Sequence, residues 1–136
     1  MAKRFFLLLL AASVFAGCKK DKDDSLPVTK ENLIGKYTLV SAEGDIQQKV
    51  DDMYSPCMKD DEFELLAGDV YNRSDLGIKC NPSFAGSGNW QLAHDTITFD
   101  LFTGPIKELT KSTLVITNTY LIGYDFVNVK FTFSRK

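Results

Sequence analysis

Histidine is nearly missing from this chain: the 136 residues include one, His94, in the polar stretch Ala93-His94-Asp95, with no Ser or Cys nucleophile beside it. General-base and nucleophilic catalysis both rest on such a pair, so no catalytic residue is assigned and no enzyme activity is expected. The acidic cluster Asp60-Asp61-Glu62 lacks the spaced oxygen ligands and the glycine of a calcium loop, and it reads as a solvated strand entrance. No metal and no cofactor is expected. A phosphate-cradling loop is absent as well, since Gly86-Ser87-Gly88 precedes a strand pattern where such a loop would open a helix. Basic residues are outnumbered, 16 against 18 acidic, for a net charge of −2, and they form no patch, which argues against nucleic acid as a partner. Beyond the first 17 residues no apolar run approaches the roughly 20 residues that a spanning helix needs.

What the chain does have begins at its start. Lys3-Arg4 is a positive leader, Phe5 to Val14 is an apolar run too short to cross a bilayer, and Ala16-Gly17 puts small residues before Cys18. This pattern is a secretory signal. The stretch Val14-Phe15-Ala16-Gly17-Cys18 resembles the lipobox of bacterial lipoproteins, with Phe15 where that motif usually has Leu. The resemblance implies that residues 1–17 are a signal peptide and that Cys18 becomes the first mature residue, acylated on thiol and amine. Several acyl chains on one residue exceed the two-signal threshold for stable attachment, so the partner expected at this end is a membrane, reached through Cys18. Residues 18–31 continue as K-K-D-K-D-D-S-L-P-V-T-K-E after the cysteine, a charged, apolar-poor tether. Asp21, Asp23 and Asp24 resemble signals that send some Gram-negative lipoproteins onward, which implies a lipid anchor in the bacterial outer membrane, on its periplasmic or its cell-surface face.

With Cys18 taken by lipid, Cys57 and Cys80 remain, in an oxidising compartment where disulfides persist. A disulfide is the first reading and two buried free thiols the second. Between them runs a hairpin pattern that admits two registers. A two-residue turn at Gly68-Asp69 sets Cys57 opposite Cys80; a three-residue loop, Ala67 to Asp69, sets Leu65 beside Tyr71 and Leu66 beside Val70. Asn72-Arg73-Ser74 inside it matches a glycosylation triplet that carries no weight in a bacterial chain.

The folded domain is assigned to residues 32–136. Alternation of apolar and polar residues marks eight short strands: Leu33–Ser41, the two arms of the hairpin, Gly86–Leu92, Thr96–Leu101, Ile106–Leu109 after a break at Gly104-Pro105, Thr113–Asn118 and Asp125–Ser134. Between the first two, Ile46, Val50 and Met53 recur at helical spacing behind Asp45, with Gln48 three residues on as a capping pair; a short helix over Asp45–Tyr54 is predicted, ended by Ser55-Pro56. Such strands make an all-β, antiparallel, up-and-down barrel or a sandwich, and eight suffice to close a barrel.

Gly35-Lys36-Tyr37 resembles the G-x-W signature of lipocalins, and the spacing from Cys57 through Asp60-Asp61 to Cys80, then Gly88-Asn89-Trp90, is similar to the lipocalin-like domain of bacterial envelope lipoproteins. Ile106 to Thr110 with Ser112 to Ile116 matches the strand, turn and strand near the end of that domain. The resemblance implies an eight-stranded calyx closed at its narrow end by Gly35, Tyr37 and Arg135, with Tyr37 in place of the usual Trp. It also implies a small hydrophobic ligand. An interior of this width is either filled by side chains or holds one small molecule. Tyr71, Trp90, Leu92, Ile97, Phe99 and Phe131 are the large residues that would fill it or line it. A filled barrel would instead serve as an interaction module for an envelope protein partner. Replacing Cys18 with Ala is expected to release the protein from the membrane fraction and to abolish incorporation of radiolabelled palmitate; membrane retention without label would reject acylation at this residue.

Overall fold

The computed structural model describes residues 24–136, so the signal peptide assigned to residues 1–17 and the lipidation assigned to Cys18 lie outside the described residues. Helix α1 (Lys30–Leu33) comes first, followed by β1 (Gly35–Gly44), helices α2 (Gln47–Met53) and α3 (Pro56–Lys59), β2 (Glu62–Leu66), β3 (Val70–Ser74), β4 (Gly86–Asn89), β5 (Gln91–Ala93), β6 (Thr96–Phe99), β7 (Phe102–Leu109), β8 (Thr113–Ile122) and β9 (Asp125–Arg135). The strands pair antiparallel in the order β4-β3-β2-β1-β9-β8-β7-β6-β5. The outermost two, β4 and β5, are consecutive in the chain and separated only by Trp90, so the sheet curls until its edges meet in one stretch of backbone. The result is a nearly closed all-β barrel. It has nine strands where eight were expected, because the segment Gly86–Leu92 breaks at Trp90. There the main-chain N–H donates to the Asp69 carbonyl at 2.8 Å and the indole N–H to the Leu66 carbonyl at 2.8 Å.

Alternation decides what faces inward. Along β9, Val127, Val129, Phe131 and Phe133 are buried while the residues between them are exposed or partly so, as the two-residue period of a strand requires. Phe63, Phe99, Phe102, Phe131 and Phe133 meet on the axis, with neighbouring ring centroids 5.0 to 6.5 Å apart and mostly edge to face, the arrangement the ring quadrupole favours. Fully burying each such side chain stabilises by roughly 1.5–3 kcal/mol. The middle of the barrel is a packed aromatic core.

Several local expectations are corrected. Leu33 ends α1 instead of opening a strand, because the Thr29 side chain caps that helix by accepting the Asn32 N–H at 3.3 Å. Two short helices, α2 and α3, stand in the connection where one was predicted, and α3 starts at Pro56, which was expected to end it; proline is tolerated in a first turn, where its missing N–H has no partner anyway. The Asp45–Gln48 capping pair does not form: Asp45 accepts from the Asn128 main chain at 3.0 Å and side chain at 2.8 Å, and Gln48 donates to Asp52. Gly104-Pro105 lies inside β7 and does not break it, since β7 ladders with β8 only from Ile106 onward and no N–H is required of Pro105 on that side. Leu101, drawn as the end of the strand Thr96–Leu101, sits exposed in the two-residue turn after β6. The tether was drawn to residue 31, but Ser25 bridges Thr110, the Leu26 N–H donates to the Leu109 carbonyl at 2.8 Å, and Leu26 and Val28 pack on the core. Residues 25–28 therefore pack with the barrel.

In the hairpin, Leu65 pairs with Tyr71 and Leu66 with Val70, which is the three-residue-loop register. Gly68 and Asp69 both take positive φ in that loop, 82° and 63°. The disulfide between Cys57 and Cys80 forms, with Cα atoms 5.2 Å apart, but it does not span the ladder, whose last rung is Glu62–Ser74. It ties α3 to the segment 75–85 that returns from β3 to β4. Replacing both cysteines with Ser should lower the unfolding free energy by roughly 3 kcal/mol on the chain-entropy account, read by urea titration under non-reducing conditions; an unchanged midpoint would mean that the segment 75–85 is held without it.

Candidate functional site

Strand directions sort the connections into two ends. Helix α1, the loop 67–69, the turns after β5 and β7 and the C-terminus lie at one end; α2, α3, the segment 75–85 and the turns after β6 and β8 lie at the other. Because Ser25 and Leu26 dock on Leu109 and Thr110, the chain arrives at the first end.

That first end is sealed. The fully buried Tyr37 donates its hydroxyl to the Leu33 carbonyl at 2.7 Å, and burial pushes the phenol up to about 12, with Arg135 opposing. Arg135 is the cross-strand partner of Tyr37 and donates to the Ile34 carbonyl at 3.0 Å and the Thr110 carbonyl at 3.4 Å, stitching α1 to the turn after β7. Gly35 is needed here: a β-carbon on it would stand 3.2 Å from the Arg135 Nε, at a φ of 153°. Trp90 is buried at this same end, with Lys30 Nζ 5.8 Å from its ring and Lys30 paired to Asp69 at 2.7 Å. Gly35, Tyr37 and Arg135 thus come together as a closure, and Trp90 joins them and lines no mouth.

Of the other candidate lining residues, Ile97, Phe99 and Phe131 are fully buried in the core and Leu92 packs partly buried against it. Only Tyr71 reaches a polar group. Its ring lies over Gly88, where a β-carbon would come within 2.7 Å of it, and its hydroxyl donates to Asp100 at 3.1 Å.

Asp100 belongs to a cluster at the other end, where α2, α3 and the segment 75–85 lie. Arg73, with a side chain 4% exposed, donates through Nε to Asp61 at 2.8 Å and through Nη1 to Asp100 at 2.9 Å, and its Nη2 stands 2.7 Å from Asp61. Its guanidinium is sandwiched between the rings of Phe63 at 5.3 Å and Phe84 at 5.0 Å, a cation–π arrangement. Tyr54, immediately after α2, turns into the barrel, stacked on Phe102 at 5.7 Å and edge-on to Phe131 at 5.4 Å. Burial first, then Tyr120 and Asp100, push the Tyr54 phenol upward, while Arg73 opposes. Its hydroxyl is buried without a partner, and so is one carboxylate oxygen each of Asp60, Asp61 and Asp75. An unpaired buried hydroxyl costs about 1–3 kcal/mol, so Tyr54 covers this end of the barrel at a cost in stability.

Most of the large apolar side chains left in water ring this end: Leu101, Ile78, Phe84, Leu121, Phe126 and Tyr124, the last fully exposed. Among the described residues no three His, Cys, Asp or Glu side chains converge to hold a metal ion. An open groove of about 600 Å³ runs over the outer wall past Pro105 and Thr117, but its charged residues already pair, Glu43 with Lys130 at 3.0 Å and Asp45 with Asn128.

Asp61 corrects the sequence reading, for it is fully buried rather than a solvated strand entrance. Asp100 and Tyr54 were assigned no role, and Arg73 was noted only within a glycosylation triplet. The signal lay in parity: Asp61 shares the alternation of Phe63 and Leu65, and Arg73 that of Tyr71. A model of the lipocalin-like domain family matches residues 33–122. No curated protein and no solved structure matches the chain. Arg73→Met, similar in length but uncharged, strands two carboxylates and should destabilise by about 3–5 kcal/mol in urea unfolding, whereas Tyr54→Phe should be neutral or stabilising by up to about 1 kcal/mol; the reverse ranking would reject the reading of this cluster.

Proposed function

Because the chain belongs to the lipocalin-like domain family, we propose that it is a non-catalytic, membrane-anchored binding protein of the bacterial outer membrane that takes a small hydrophobic molecule at the open end of its barrel. The anchor is the acylated Cys18. The observation that carries the binding reading is Tyr54: a buried ring closing the open end, with a hydroxyl that has no partner. In a core built only for stability that position favours Phe. A movable cover over Phe102 and Phe131 exposes apolar rings to a ligand while the closed end, sealed by Tyr37 and Arg135, stays shut. The chain enters at the closed end, so the open end points away from the anchor.

A second reading has its own support. The ladder between β8 and β9 continues to Ile122–Asp125, four rungs past the last pair of β9 with β1, Gly44–Val129, and its outer face bears the exposed pair Leu121 and Phe126 with Tyr124 at the tip. A packed aromatic interior with an apolar ribbon outside also fits a module that docks an envelope protein. Native mass spectrometry of the protein purified from its own membranes separates the two. A lipid-sized adduct released on activation is expected; a bare mass with a retained protein partner would replace the first reading with the second.

A further inference from the structure

The β8–β9 hairpin outruns the wall on both sides of it. Its ladder continues four rungs beyond Gly44–Val129, the last pair that joins β9 to β1, and β7 ladders with β8 only as far as Ile116. Inward, Tyr120, Ile122 and Val127 pack on the core. Outward, Leu121 and Phe126 face each other across the ladder, 62% and 74% exposed, and Tyr124 in the turn is fully exposed. The charges of this surface are matched. Asp125 pairs with Lys49 at 2.6 Å, whose Nζ also donates to the Ile122 carbonyl at 3.3 Å. Below the tip the Thr119 hydroxyl donates to Asn128 at 2.6 Å, Asn128 donates to Asp45, and Lys130 pairs with Glu43.

Resting on the acyl anchor of the proposed reading, we infer that this tip is a second membrane contact, with Leu121, Tyr124 and Phe126 entering the lipid surface that holds Cys18. Size favours lipid over protein. A stable protein interface buries roughly 800 Å² per partner, and three side chains at the end of a ribbon, at about 150–250 Å² for each aromatic, fall short of it. A fluid bilayer needs no complementary pocket. Composition agrees: Tyr suits the water boundary and Leu and Phe the acyl region, while paired charges require no anionic lipid. Reach agrees as well. Residues 18–24 connect Cys18 to Ser25 over at most about 25 Å when extended, and Ser25 docks on Thr110 at the closed end. From that end β8 runs about 30 Å toward the tip, at about 3.3 Å per residue. A tether of this length lets the domain lie over, so the tip meets the leaflet that holds the anchor. Three side chains suffice because the anchor already keeps them at high effective concentration beside the lipid. The mouth of the barrel then stands at the bilayer, where a hydrophobic ligand enters without crossing water.

The test uses the full chain, purified from its membranes into phosphatidylcholine nanodiscs with or without acyl-brominated lipid, which quenches indole fluorescence on contact. Tyr124→Trp places a reporter at the tip, and Val40→Trp places one on the outer wall, where Val40 is 65% exposed. The unsubstituted chain supplies the Trp90 background. The fluorescence added by Tyr124→Trp is expected to be quenched at least about twofold more than that added by Val40→Trp, as for a side chain lying about 5–10 Å into the headgroup and acyl boundary. Adding Phe126→Asp to Tyr124→Trp should reduce the quenching to the Val40→Trp level. Val40, Tyr124 and Phe126 are all exposed, so these substitutions leave the core intact. Equal quenching at the two positions, or tip quenching that persists with Phe126→Asp, overturns the inference and leaves the anchored reading standing. An unquenched tip that cross-links to another protein in native membranes overturns it in favour of a protein partner. A chain that fails to co-purify with the nanodiscs overturns the anchor and the inference together.

Discussion

The barrel depends on one passage of backbone. Sheets of this kind carry two rows of unpaired N–H and C=O groups unless they close, and here closure is made by the chain running from β4 through Trp90 into β5. On one side of that residue the backbone ladders with β3, on the other with β6. Trp90 itself leaves the ladder, sends its N–H to Asp69 and its indole to Leu66, and fills the closed end with its ring. The loop 67–69 supplies one of those acceptors, which is why the register of the β2–β3 hairpin matters beyond the hairpin.

Once closed, the cylinder has an interior that must be filled or occupied. Five phenylalanines fill its middle in mutual contact, so a ligand has no claim on the deep calyx while they stay in place. Chemistry is displaced to the ends. At the closed end Tyr37, Arg135 and Thr29 all satisfy main-chain partners. At the open end polar atoms remain unspent, under a cover made of Tyr54, α3 and a segment held by the disulfide. The division between a stabilised base and an unsatisfied mouth is a physical asymmetry of the fold, and the ligand-binding proposal rests on it.

Much of this was legible because strands have a period of two. Val127 to Phe133, Leu114 with Ile116 and Phe63 with Leu65 fall on the buried face as their spacing demands. Less legible were features whose cause is distant in sequence. Asp45 reads as a helix cap until Asn128, brought alongside by β9, offers two donors at once. Asp61 reads as solvated until Arg73 lies against it. Pro105 reads as a break until the β7–β8 ladder, which begins only at Ile106, leaves its missing N–H without consequence.

By itself the sequence determined the all-β class of fold, the inward and outward faces of most strands and the pair of cysteines that join, because each follows from local alternation, residue chemistry or spacing along one chain; the residues of the closed end came from the family resemblance instead. Only the tertiary structure decided that the strand at Trp90 is split, that the disulfide clamps α3 to the segment 75–85 and does not fix the hairpin, and that Arg73, Asp61, Asp100 and Tyr54 share one place. Those outcomes depend on which backbone groups find partners across the barrel, and that competition is resolved only when all strands are present together.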